Sequence, residues 1–235
     1  MKKDMKKIGL VGGLGPTSTV YYYLGIIERC QSQNGENAYP KIVIDSVDMS
    51  EHIEAFEKND YDKICKLLLK SLDDLKKAGA ELAAITANTE HIVWNKICDR
   101  FPLPVISIVD AAVNQIKHDG YKCVLILGTE FTMHSGMYSE ELKKIGITAI
   151  VPDNDDIKLL GGLIYPNLEN GVVIEDDRQS IISLSEKYIK ISGADTVLLG
   201  CTELPLAIKN GDLSVPVLNT TDIHINEIYA RAIRG

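Results

Sequence analysis

The chain has 235 residues, 45% hydrophobic and 25% charged, with a net charge of −8 and a pI near 5.2. That is enough apolar material for one large core or two smaller ones. The acidic balance argues against nucleic acid as the main partner, because phosphate binding needs clustered Lys and Arg.

Short apolar runs bounded by Gly, Pro and polar residues alternate with stretches carrying apolar residues at helical spacing. This is the pattern of an α/β protein built on mostly parallel sheet. In chain order, strands are predicted at residues 8–11, 41–44, 82–86 and 105–108, with helices at 17–30 and 62–77. The second half repeats the alternation, with strands at 124–127, 149–151, 196–199 and 217–218 and a helix at 178–192. The basic start "MKKDMKKIGLVGG" leads into an apolar run that stops at Gly12, too short for a signal-peptide core. No window approaches the length of a spanning helix, so the expectation is a cytoplasmic protein with no membrane partner. The cysteines, Cys30, Cys65, Cys98, Cys123 and Cys201, form no CxxC or CxxH pair, and the histidines show no two-His helical spacing. Neither a metal site nor a disulfide framework is expected.

Three segments of the first half recur in the second in the same order. "IGLVGGLGPTSTVYY" recurs as "VLILGTEFTMHSGMY", with a spacing of 116 separating both Gly12 from Gly128 and Tyr22 from Tyr138. "AGAELAAITANTE" recurs as "SGADTVLLGCTEL" with a spacing of 114, and "LPVISIVD" as "VPVLNTTD" with a spacing of 112. One register drifting by small loop deletions explains all three. The period is too long for a solenoid, so two α/β subdomains are predicted, residues 1–111 with 222–235, and residues 112–221. Each is expected to hold a mostly parallel four-stranded sheet flanked by helices, the two related by pseudo-twofold symmetry with a site in the cleft between them.

Ligands of open parallel sheets bind beyond the carboxyl ends of the strands. Four small-residue motifs fall there: "GGLGPTST", "ANTEH", "GTEFT" and "GCTE". Backbone N–H groups at such positions can hold a carboxylate. The glycine loop is not a P-loop, since no Lys-Ser or Lys-Thr follows, and Ser18 stands where GxGxxG needs its third glycine.

A lone cysteine is often only a small core residue, and that reading is taken for Cys30, Cys65, Cys98 and Cys123. Cys201 differs: it follows an apolar strand, sits between Gly200 and Thr202, and precedes a predicted helix start at Pro205. A thiol at a helix N-terminus has its thiolate stabilised by free amides and the helix dipole, which predicts a reactive group.

Together "IGLVGGLGPTSTVYY", "ANTEH", "GCTEL" and "NTTDIH" resemble the aspartate/glutamate racemase family over essentially the whole chain. The resemblance implies a two-subdomain, usually homodimeric enzyme that racemises amino acids without pyridoxal phosphate or any other cofactor. Its members use two cysteines, one on each face of the α-carbon. By position, Cys201 is one of them. Asn88, Thr89 and Thr202 would bind the substrate carboxylate or amino group. Gly13, Leu14, Gly15 and Thr17 of the glycine loop, together with Thr129, Thr132 and Glu203, would help.

The sequence departs from the family pattern at three places. Ala87 occupies the position of the other cysteine, leaving Thr86, Glu90 and His91 as neighbouring proton-transfer candidates; Thr86 and His91 join Cys201 as the catalytic candidates. Residues 44–57 and 161–177 contain no Lys or Arg, although the aspartate-acting members draw side-chain carboxylate ligands from those segments. Asn219 stands where an acidic residue is expected. Three readings fit: a racemase-like isomerase using Cys201 and a non-cysteine group or water, a one-face enzyme like the superfamily's single-cysteine decarboxylases, or a small-carboxylate binding protein that kept the site and lost the chemistry. The partner in each case is a small amino acid or carboxylate.

Overall fold

The computed structural model describes residues 5–233, and the chain separates into two compact units. One comprises the residues up to Ile108 together with those from His224 onward; the other runs from Val109 to Ile223.

The first unit contains β1 (Ile8–Gly12), α1 (Pro16–Asn34), β2 (Ile42–Ser46), α2 (Met49–Glu57), α3 (Tyr61–Lys77), β3 (Leu82–Ile85), α4 (Trp94–Ile97) and β4 (Val105–Ile106). Its sheet runs β2-β1-β3-β4, with every pair parallel. Side chains alternate between the two faces of a strand, and this divides the core. Val11 and Ile85 pack with Ile64, Leu68, Leu72 and Leu75 of α3. On the other face, Ile8 and Leu10 pack with Tyr22 and Ile26 of α1 and with Ile225, Ile228 and Ala232 near the C-terminus.

The chain leaves this unit in α5 (Ile108–Asp119). The second unit continues with β5 (Cys123–Gly128), α6 (Glu130–Ser135), α7 (Met137–Lys144), β6 (Thr148–Ile150) and α8 (Asn154–Ile164). It ends with α9 (Glu175–Ser192), β7 (Thr196–Gly200), α10 (Leu204–Ala207) and β8 (Val217–Asn219), before α11 (Thr220–Ile233) carries the chain back. Its sheet runs β6-β5-β7-β8, again all parallel, so the two sheets share one strand order. Leu125, Leu127, Val197 and Leu199 form a core with Leu160 and Ile164 of α8 and Ile181, Leu184 and Tyr188 of α9.

The fold is the expected α/β architecture, with all eight strands present. Two local expectations need correction. Ile108 opens α5 rather than ending β4, with Asp110 in the helix's first turn. Cys98 is exposed, at the start of a 3-10 turn, and is not a core residue. All five cysteines are free thiols, and no helix of the described residues is long and apolar enough to cross a membrane.

Candidate active site

In the first unit the glycine loop joins β1 to α1, and hydrogen bonds tie it to the end of β3. Gly13 N–H donates to Thr19 Oγ1 at 2.9 Å, and Ser18 Oγ donates to the Thr86 carbonyl at 2.7 Å. Gly13 has φ +83, and a Cβ there would lie 2.5 Å from the Val47 carbonyl oxygen. Backbone cannot give way as a flexible side chain can, so Gly13→Ala is expected to cost about 3 kcal/mol or more, combining left-handed strain with a backbone clash. Urea unfolding checks this; Gly15→Ala, at φ +63 but with open space around it, should cost less. Pro16 starts α1, where its missing N–H costs nothing. Leu14 is buried in the core, whereas Thr17 is exposed on the first turn of α1.

The "ANTEH" motif follows β3. Thr86 is fully buried, and its hydroxyl donates to the Val11 carbonyl at 3.0 Å. Ala87 and Asn88 are buried, and Thr89 is half-buried at the start of a 3-10 turn, Thr89–Val93. His91 Nδ1 lies 3.0 Å from the Ala87 carbonyl, and Nε2 accepts from Ile108 N–H at 3.3 Å. Those partners assign the proton to Nδ1. The ring stacks on Trp94, and burial lowers its pKa to about 4. Both Thr86 and His91 therefore have their hydrogen-bonding groups engaged in holding the strand end.

The same turn carries Glu90, whose carboxylate lies 3.6 Å from Nδ1 of His52 in α2. Both groups are buried, and neither ring nitrogen of His52 has a hydrogen-bond partner among the described residues. Leaving a buried polar group unpaired costs about 1–3 kcal/mol. No sequence pattern marks this pair, because its members lie on different elements.

In the second unit Thr129 follows β5 and caps α6, its Oγ1 accepting from Thr132 N–H at 3.2 Å and lying 3.1 Å from Thr132 Oγ1. Thr132 is buried against the paired strand-end glycines: a Cβ on Gly128 or Gly200 would meet it at 3.2 or 3.1 Å. Cys201 follows β7 directly. Its thiol donates to Glu203 Oε2 at 2.8 Å, while the Thr202 hydroxyl donates to Oε1 of the same carboxylate. Asn219 is engaged locally, donating to Asp222 and accepting from Thr221 N–H.

The electrostatics of Cys201 correct the sequence expectation of a stabilised thiolate. Burial and the Glu203 carboxylate push the thiol well above its usual range; the amides of Glu203 and Leu204 pull the other way and lose. The helix behind it, α10, has only four residues, so its dipole is small. Nearby, Tyr165 is raised to about 12, first by burial and then by Glu169. Glu169 is itself raised, by burial and by Glu203. Residues 161–177 thus bring the Glu169 carboxylate to the neighbourhood of Glu203 and Cys201.

Two parallel sheets of one strand order, each ending in polar motifs at strand carboxyl ends, define a duplicated α/β scaffold in which the end of β7 carries the Cys201 thiol. The chain belongs to the Asp/Glu/Hydantoin racemase family, whose model matches residues 11–228. It is 37% identical to an aspartate racemase homologue from Pyrococcus horikoshii OT3, with a TM-score of 0.86 and coverage of 97% of this chain and 99% of that one. It is 35% identical to a putative Asp/Glu racemase from Yersinia pestis, with a TM-score of 0.90 and coverage of 98% and 100%. It is also 27% identical, over 91% of this chain and 92% of the relative, to the broad specificity amino-acid racemase RacX of Bacillus subtilis strain 168.

Proposed function

We propose that the protein is an amino-acid racemase-like isomerase that moves the α-proton of a free amino acid, with Cys201 as one acid/base and a non-cysteine group or water as the other. The observation that carries this reading is the Cys201 thiol at the end of β7, donating to the carboxylate of Glu203. Family membership and relatives with amino-acid racemase names support it.

The chemistry sets what the residues must do. An amino-acid α-proton is very weakly acidic, so the carbanion-like transition state needs fixed donors on the carboxylate and a base in contact with the proton. The proposed donors are Asn88, Thr89 and Thr202, with the glycine-loop amides and the Thr129 and Thr132 hydroxyls. Cys201 rests as the neutral thiol, hydrogen-bonded to the Glu203 carboxylate, and becomes the base when its proton leaves to solvent. No cofactor is required by this route.

Ala87 favours one second reading, an enzyme that exchanges or delivers a proton on one face only. Incubation with single enantiomers in deuterated water, following α-deuterium uptake and enantiomer ratio, separates the two. Uptake with loss of optical purity is the expected result. Uptake with full retention would favour one-face chemistry, and no uptake with any amino acid would sink the enzymatic proposal.

A further inference from the structure

We infer that Glu90, backed by His52, is the second proton carrier of the reaction, in the role that Ala87 cannot fill. This rests on the racemase-like reading above. Racemisation needs an acid/base for each face of the α-carbon, and an alanine methyl exchanges no proton. Of the groups beside Ala87, Thr86 and His91 are committed: the Thr86 hydroxyl to the Val11 carbonyl, and the two His91 nitrogens to the Ala87 carbonyl and Ile108 N–H.

Glu90 and His52 stand differently. Their side chains are 3% and 1% exposed and 3.6 Å apart, an ion-pair distance too long for a hydrogen bond. His52 has no hydrogen bond at either nitrogen among the described residues. Buried polar groups left unsatisfied are rare in folded proteins, and a recurrent reason for keeping them is a proton or ligand that uses them. Their position agrees. His52 lies in the first turns of the helix after β2 and Glu90 in the turn after β3, and these strands flank β1 in one parallel sheet. Both groups are therefore at strand carboxyl ends, where such sheets place ligands. His52 is also the sole basic side chain in residues 44–57. Burial is no objection, since Cys201 is itself only 3% exposed.

The step balances without an added reactant. Cys201 as thiolate takes the α-proton, and the electron pair of the broken C–H bond stays on the α-carbon, delocalised into the substrate carboxylate. The O–H bond of the Glu90 carboxyl then breaks, and a new C–H bond forms on the face not served by Cys201. Glu90 is left as carboxylate and Cys201 as thiol, the state that runs the reaction in reverse. His52 acts through Glu90, relaying a proton from water as Cys201 returns one to solvent; it is a positioning residue.

The test follows deuterium uptake and enantiomer ratio together, in deuterated water, with the enantiomer that Cys201 deprotonates. Glu90→Gln should keep exchange within a few-fold of wild type while racemisation falls at least about 100-fold, the usual weight of a general acid/base. Adding Ala87→Cys to Glu90→Gln should restore racemisation. His52→Gln should lower the ratio of racemisation to exchange, which a general loss of folded protein leaves unchanged; this ratio decides the matter if Glu90→Gln does not fold. Racemisation by folded Glu90→Gln at the wild-type rate, or parallel loss of exchange and racemisation, overturns the inference. Wild-type exchange without racemisation overturns it while leaving Cys201 in place. No exchange at all overturns it together with the racemase-like reading.

Discussion

Replacing Cys201 by Ala is expected to abolish α-proton exchange, with a loss of about 100-fold to 10,000-fold, the range typical for removing a general acid/base. The fold should survive, because Cys201 is a small buried side chain whose polar contact runs to the neighbouring Glu203 carboxylate. The pH dependence adds a sharper criterion. The thiol is pushed up by burial and by the negative charge of Glu203, so exchange by the thiolate should rise with pH. Glu203→Gln removes the charge and keeps the side chain's shape, so the thiol should titrate lower and the alkaline rise should move to lower pH. A pH profile of deuterium uptake in wild type, Cys201→Ala and Glu203→Gln reads both effects. Exchange undiminished in Cys201→Ala would remove the central residue of the proposed chemistry.

The parts of the molecule that were legible in the sequence are those set by local pattern. Each strand is a short apolar run stopped by Gly, Pro or a polar motif, and a run such as "LVGG" or "LLGC" also marks the carboxyl end where β1 or β7 delivers its motif. Helices with weaker signals were missed: α8 carries Gly161 and Gly162, and α2 is only nine residues long. At the site, the place of Cys201 was readable and its protonation was not. The thiol's state depends on complete burial and on where the Glu203 carboxylate turns, and neither is a property of spacing. The His52–Glu90 pair was hidden for a related reason. It forms because α3 packs against both α2 and the turn carrying Glu90, a tertiary event that leaves no periodic trace.

Acid should unfold the first unit through two imidazoles that the fold keeps neutral. His91 is lowered to about 4 by burial, and His224 to about 3 by burial and then by His91. The rings lie 6.3 Å apart. His224 is held between the Tyr22 hydroxyl at Nδ1, 2.8 Å away, and the Ile106 carbonyl at Nε2, 2.9 Å away. Both folded-state pKa values lie below the unfolded value near 6.5. Between that value and the folded ones, the unfolded chain binds protons that the native state refuses. Stability is therefore fully present above about pH 6.5 and falls with decreasing pH until the folded rings titrate. The loss is about 3 to 5 kcal/mol per ring, comparable with the whole stability of many domains. Between about pH 6 and pH 5, before most carboxylates titrate, urea unfolding should show a slope of about 2 to 2.5 kcal/mol per pH unit, approaching two protons' worth. His91→Gln should halve that slope. A slope near zero would mean that both rings are charged in the native state, and His91 could then not accept from Ile108 N–H while donating to the Ala87 carbonyl. The same neutrality that makes these rings an acid liability fixes the strand ends at Ala87 and Ile106, on which the proposed substrate groups Asn88 and Thr89 depend.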